Sequence, residues 1–295
     1  MAQSFGFGDV ELSRLRDPAL VVAFSGWSDA GQAASDVLNH LATSYEDTST
    51  VCRIDGEEYY DYQVNRPQII RGPEGSATIW PETIFQLVST PDRDLILLGG
   101  PEPNYRWRSF VGQVMEEIYL LDPKQAVILG AMLTDTPHSR PLPVNAYSSD
   151  RAFCDRLRCE ESSYEGPTGI PGILSKSFET SDISTVSLWV SVPHYVSSTP
   201  NPKATLALLR KTADALDIPL VEGELPEEAQ KWQQTVDAAA GSDPDVREYV
   251  DKLESLRDKE DLRENTGDDI ADELERFLRH RSREGHQGLG GGDEK

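Results

Sequence analysis

The sequence predicts an α/β fold: a mostly parallel sheet flanked by helices, followed by a C-terminal helical appendage. Two observations carry this reading. Up to about residue 220, short apolar runs alternate with segments of helical spacing, as strand–helix–strand units require. From Glu222 onward charge dominates and β-branched residues become scarce. The expected organisation is an α/β core over 1–220, an acidic helical appendage over 221–284 and a disordered tail over 285–295.

The elements follow in order. Ala19–Phe24 is almost wholly apolar, as befits a strand covered on both faces. A helix is expected from Asp29 to Leu41, with Ala33, Val37, Leu38 and Leu41 on one stripe. Thr50–Ile54, Ala77–Trp80 and Leu95–Leu98 read as strands. Trp107 to Leu121 is helical, because Phe110, Val114, Ile118 and Leu121 recur at helical spacing. Ala126–Leu129 is a strand, Asp150 to Arg158 a short helix and Val186–Val192 a strand. Pro202 opens a helix to Leu216, where its missing amide costs nothing. In the appendage, Ser242 or Asp243 caps a helix opened by Pro244, with Val246, Val250, Leu253 and Leu256 as its stripe. A second helix starts at Thr266 in a capping-box pattern with Asp269 and carries Ile270, Leu274, Phe277 and Leu278.

Four of the apolar runs drain into turns rich in Gly, Pro and ionisable residues. Ligands of open α/β sheets sit beyond the carboxyl ends of the strands. If the four runs lie side by side, Asp29, Glu102, His138, Arg140 and His194 gather on one rim.

Composition limits what such a rim can serve. The chain has 295 residues, with 28 Lys+Arg against 51 Asp+Glu and a formal net charge of −23. Such a field repels nucleic acid and anionic bilayers. No apolar run approaches the roughly 20 residues that span a membrane, and no signal-peptide pattern opens the chain. Three cysteines without a framework, Cys52, Cys154 and Cys159, suit a reducing cytoplasm.

In Gly26-Trp27-Ser28-Asp29-Ala30-Gly31 the glycines permit a tight turn into a helix whose amides can meet an anion. The ordinary reading of Asp29 there is a helix cap. In Gly99-Gly100-Pro101-Glu102-Pro103-Asn104 flanking prolines fix Glu102, either as a general base or as an ion-pair partner of Arg106, Arg108 or Arg140. Asp135-Thr136-Pro137-His138-Ser139-Arg140 is the densest cluster. His138 can shuttle protons and Arg140 can clamp an oxyanion. Pro193-His194-Tyr195 brings a second imidazole. One His without further ligands is a weak metal signal, and no Gly-x-Ser-x-Gly elbow is present. The catalytic candidates are Glu102, His138 and His194; the ligand-binding candidates are Gly26, Asp29, Gly31, Asn104 and Arg140. No metal or cofactor is expected. The bland alternative is a polar network that locks the turns.

These turns, with Tyr164-Glu165-Gly166-Pro167-Thr168-Gly169 and Val192-Pro193-His194-Tyr195, resemble the proteasome assembly chaperone 2 family, most closely its actinobacterial branch. The resemblance spans about Leu20 to Leu209, and Glu273 to Arg279 resembles that branch's final helix. It implies a core similar to purine nucleoside phosphorylases and related hydrolases, and a chaperone-like interaction protein without catalysis. The alternative function is a small-molecule enzyme, phosphorylase- or hydrolase-like, with an anion site at the strand rim. The implied partners are the chain itself, with a trimer as the first expectation, and proteasome subunits. The hydrophobic-Tyr-any tail by which some members dock on proteasome rings is not found in Gly291-Gly292-Asp293-Glu294-Lys295.

Overall fold

A computed structural model describes residues 14–262 except 74, 161, 163, 197 and 198. The expected helix from Thr266 and the tail from Gly285 lie outside the described residues. The chain divides into two compact units, Met1–Ala238 and Ala239–Lys295.

The first unit is built on a seven-stranded sheet. Its strands are β1 (Ala19–Ser25), β2 (Thr48–Ile54), β5 (Thr83–Ser89), β6 (Asp94–Pro101), β7 (Gln125–Thr134), β8 (Val144–Tyr147) and β9 (Ser184–Pro193). They are arranged β2-β5-β6-β1-β7-β9-β8. The central four run parallel: Ala19 stands opposite Leu95 on β6 and Gln125 on β7, and Gln125 opposite Ser184 on β9. The remaining pairs, β2 with β5, β5 with β6 and β8 with β9, are antiparallel.

The sheet is therefore mixed, which corrects the expectation of a mostly parallel sheet. The phosphorylase- or hydrolase-like description of the core falls with it. The cause is local. An apolar run marks a strand buried on both faces, so that cue finds the parallel centre. Strand β5 alternates buried with half-exposed positions, and β8 has only four residues. Such wings escape a search for apolar runs, and they carry the antiparallel pairings.

The helices are α1 (Ala33–Ser44), α2 (Trp107–Leu121), α3 (Arg151–Leu157), α4 (Ile170–Glu179), α5 (Pro202–Leu216) and α6 (Leu225–Ser242). The period-2 alternation of β1 divides the core in two. Ala19, Val21 and Ala23 join a cluster with Val37 and Leu41 of α1 and Leu208 and Leu209 of α5. Leu20, Val22 and Phe24 join the opposite cluster with Phe110 and Val114 of α2 and Leu174 and Phe178 of α4. Each fully buried Val, Leu or Phe contributes roughly 1.5–3 kcal/mol. These two faces hold the strand ends in place.

Helix α6 buries Leu225, Ala229, Trp232 and Val236, spaced four, three and four apart. Two further strands, β3 (Gln68–Gly72) and β4 (Gly75–Ile79), form a separate hairpin, and every position of both is exposed.

In the second unit residues 244–262 are helical, here called α7. Asp243 Oδ1 accepts hydrogen bonds from the amides of Asp245 (2.9 Å) and Val246 (3.4 Å), which caps the helix as the sequence suggests. Val250 and Leu253 are buried, whereas Leu256 is half exposed. Among the described residues no helix is long and apolar enough to cross a membrane.

Candidate functional site

Because β6, β1, β7 and β9 are neighbours and run parallel, their four carboxyl-terminal turns share one end of the sheet. Backbone hydrogen bonds stitch the turns together. The Glu102 amide donates to Ser25 O (2.8 Å), that of Ala131 to Ser28 O (2.8 Å) and that of His194 to Thr134 O (3.2 Å).

The first two turns spend their carboxylates on helix ends. Asp29 is buried, and Oδ1 accepts from the amides of Ala34 (2.8 Å) and Ser35 (3.2 Å) in the first turn of α1. The Ser35 hydroxyl donates to Oδ2 at 2.5 Å. Burial pushes the Asp29 pKa up, against the pull of these hydrogen bonds. Gly31 has φ +66°, and its carbonyl accepts from the Asn201 amide (2.8 Å). A Cβ at Gly31 would lie 2.8 Å from Asn201 Cβ, closer than packed side chains come.

Glu102 Oε1 accepts from the Ile170 amide (2.7 Å), the first amide of α4. Gly26, at φ +133°, lets the first turn pass over it; a Cβ there would touch Glu102 Cβ at 3.4 Å. Arg106 pairs with Glu58 at 2.7 Å. The Asn104 side-chain oxygen accepts from the Asp61 amide (2.8 Å) and from Asn65 Nδ2 (2.9 Å), so this residue ties the preceding loop to the rim.

The other two turns meet at Tyr195. His138 is 2 % exposed. Its Nδ1 lies 2.7 Å from the Tyr195 hydroxyl, and its Nε2 lies 3.0 Å from Asp237 Oδ1 on α6. The half-exposed His194 also meets the Tyr195 ring edge-on, at 5.8 Å between centroids, with Nδ1 3.1 Å from Asp135 Oδ1. The structure thus brings the two imidazoles to one tyrosine and leaves Glu102 at the head of α4.

Lys203, in the first turn of α5, donates to His138 O (2.5 Å) and Gln233 Oε1 (2.7 Å). Its pKa is pushed down to about 8, first by burial and further by the charge of Arg140, while Asp237 opposes the shift. Lys203, Arg210, Gln233 and Asp237 line a groove of about 650 Å³ whose apolar wall includes Leu142 and Leu206. Among the described residues no group of three His, Cys, Asp or Glu side chains could hold a metal ion.

Sequence reasoning missed Lys203, Gln233 and Asp237. Lys203 follows a helix-opening proline ten residues beyond Val192, which places it near the rim. Asp237 was legible only through α6, whose spacing of Leu225, Ala229, Trp232 and Val236 is itself a helical stripe.

The PAC2 family model matches residues 23–240. A PAC2 family protein from Streptomyces avermitilis is 45% identical, with 79% of this chain and all of that chain covered, at a TM-score of 0.73. A proteasome-assembly chaperone homologue from Mycobacterium tuberculosis is 42% identical, with 79% of this chain and 99% of that one covered, at 0.71. An archaeal proteasome activator from Pyrococcus furiosus shares the fold at 14% identity and a TM-score of 0.61, with 77% of this chain and 94% of that one covered. No curated protein matches the chain.

Proposed function

The chain belongs to the PAC2 family, and from that premise we propose that it is a chaperone-like interaction protein of the proteasome-assembly type. It carries out no reaction of its own in this reading. The observation that carries the reading is the likeness, at 42% identity over nearly the whole of its chain, to a proteasome-assembly chaperone homologue. The rim geometry agrees. Asp29 and Glu102 serve helix amides, Asn104 closes a loop, and both ring nitrogens of His138 are engaged. Side chains committed in this way build a surface; they are not poised to move protons.

The partners in this reading are proteasome α subunits and further copies of the chain, with a trimer as the assembly. Binding of the purified full-length chain to purified α subunits, read by pull-down and native mass spectrometry, tests the first part. Co-elution at micromolar concentration is expected; absence of any complex refutes it. Loss of the complex on removing residues 243–295, which leaves α6 and the core it packs on intact, would assign the contact to the helical appendage. Sedimentation equilibrium of the chain alone tests the second part, and a monomer at all concentrations refutes it.

A further inference from the structure

We propose that Cys154 and Cys159 form a redox modification site, a paired dithiol that closes to an internal disulfide when a low-molecular-weight disulfide oxidises it. All three thiols of the chain are free, and this pair is built by the way α3 ends. Arg158 takes a left-handed backbone at φ +54°, and its amide donates to Cys154 O at 3.0 Å. Such a cap turns the chain back over the last helical turn, where the residue beyond it meets side chains of that turn. That residue is Cys159, and its thiol is hydrogen-bonded to the thiol of Cys154. The two side chains therefore point toward each other, the condition that a bridge requires.

Both thiols are half-buried and open to a small oxidant, whereas Cys52 is buried on β2. Cys154 Sγ also donates to Ser148 O (3.4 Å), and Cys159 packs against the core cluster that holds Leu208 and Leu209 of α5. These contacts keep the pair in place. Burial, and then the neighbouring thiol, push the Cys159 thiol up to about 11, against the pull of the Lys211 ammonium. Lys211 is held there by donating to Leu157 O at 3.5 Å. Cys159 thus keeps its proton at neutral pH, which slows exchange. The same lack of support for its thiolate favours the disulfide once formed, the reverse of oxidants whose reduced form is stabilised.

The chemistry takes two exchanges with a small disulfide RSSR. One thiolate attacks a sulfur of RSSR, forming a protein–S–S–R bond and releasing RS⁻. The second thiolate then attacks the protein sulfur of that bond, forming the Cys154–Cys159 disulfide and releasing the other RS⁻. The chain gives up two electrons and two protons, and the oxidant takes both up as two RSH. The bridge ties the last turn of α3 to the segment that joins the edge of the sheet, where the Glu160 amide donates to Ala146 O of β8 at 2.9 Å.

The test incubates the folded full-length chain with oxidised glutathione at mildly alkaline pH. Free thiols are then counted after denaturation, and linked peptides are mapped by mass spectrometry. Loss of two of the three thiols is expected, with Cys52 left free and Cys154 joined to Cys159 in the same copy. Cys154→Ser, checked for folding by circular dichroism, should form no internal link. Three free thiols after incubation, glutathione adducts without an internal link, or links between copies overturn the proposal. Phenylarsine oxide, a trivalent arsenical that bridges two neighbouring thiols, gives a second readout that needs no variant. It should block Cys154 and Cys159 together in the native chain and spare Cys52. A native chain whose Cys154 and Cys159 both stay reactive after this treatment refutes the pairing.

Discussion

Replacing Asp29 tests whether the strand-end carboxylates hold the turns in place. The carboxylate serves two α1 amides and the Ser35 hydroxyl. In Asp29→Ala the half-exposed Ser35 regains water. The fully buried Ala34 does not, and an orphaned buried amide costs roughly 1–3 kcal/mol. That orphaned amide is itself the lost cap, so the expected destabilisation is about 2 kcal/mol. Asp29→Asn keeps an oxygen acceptor for the amides and should cost about 1 kcal/mol or less.

The pH dependence separates charge from geometry. Burial raises the folded-state pKa of Asp29 above its ordinary 3.8. Between those two values the folded chain holds the proton more tightly than the unfolded chain. Stability contributed at this site is therefore lost as pH rises through that window. Asp29→Asn lacks this loss, so its stability relative to wild type should improve from pH 4 to neutrality. Urea unfolding followed by tryptophan fluorescence measures both effects. Equal destabilisation by Ala and Asn, or a difference between Asn and wild type that does not change with pH, would refute the reasoning.

Three further outcomes follow from the same rim. Glu102→Ala should destabilise by about 1–2 kcal/mol by uncapping the Ile170 amide, and Glu102→Gln by less than half of that, as read by thermal melts. Gly31→Ala combines a positive φ with a 2.8 Å approach to Asn201 Cβ and should cost at least about 1–2 kcal/mol; a neutral result in urea would show that the two loops part freely. Lys203 has a folded pKa of about 8 against 10.5 unfolded, so the unfolded chain binds the extra proton and stability at this site rises between those pH values. The full difference corresponds to about 3 kcal/mol, cut to about 1–2 kcal/mol because the ammonium is only half buried. Lys203→Met should remove that rise, and an unchanged pH profile above 8 would refute the assignment.

The central strands and two helices were legible because their cues are one-dimensional. Trp107–Leu121 and Pro202–Leu216 coincide with α2 and α5 to the residue, since each buries a stripe that the spacing displays. The four runs also turned out to be neighbours, as the rim reading required. Strand β5 was invisible because Thr83, Gln86 and Ser89 dilute its pattern, and without it the mixed sheet could not be inferred. Helix α4 was hidden by Tyr164 to Gly172, where Gly and Pro suggest a loop; Gly169 and Pro171 in fact open the helix. The clustering of His138, Tyr195, Lys203 and Asp237 depends on segments 99 residues apart and has no local signature.

The central place of β1 has a consequence for how this chain is made. The strand leaves the ribosome first, yet both its neighbours come much later: β6 starts at Asp94, and β7 ends at Thr134. At 5–20 residues per second, Leu20 to Phe24 keep at least one edge unpaired for about 5–20 s of synthesis. Until β6 is made, this almost wholly apolar strand has a sticky edge on each side. A nascent chain halted before residue 94 therefore presents aggregation-prone surface, and one that has passed Thr134 has hidden it. The chain proposed here to assist the assembly of others thus exposes an apolar strand of its own while it is being made.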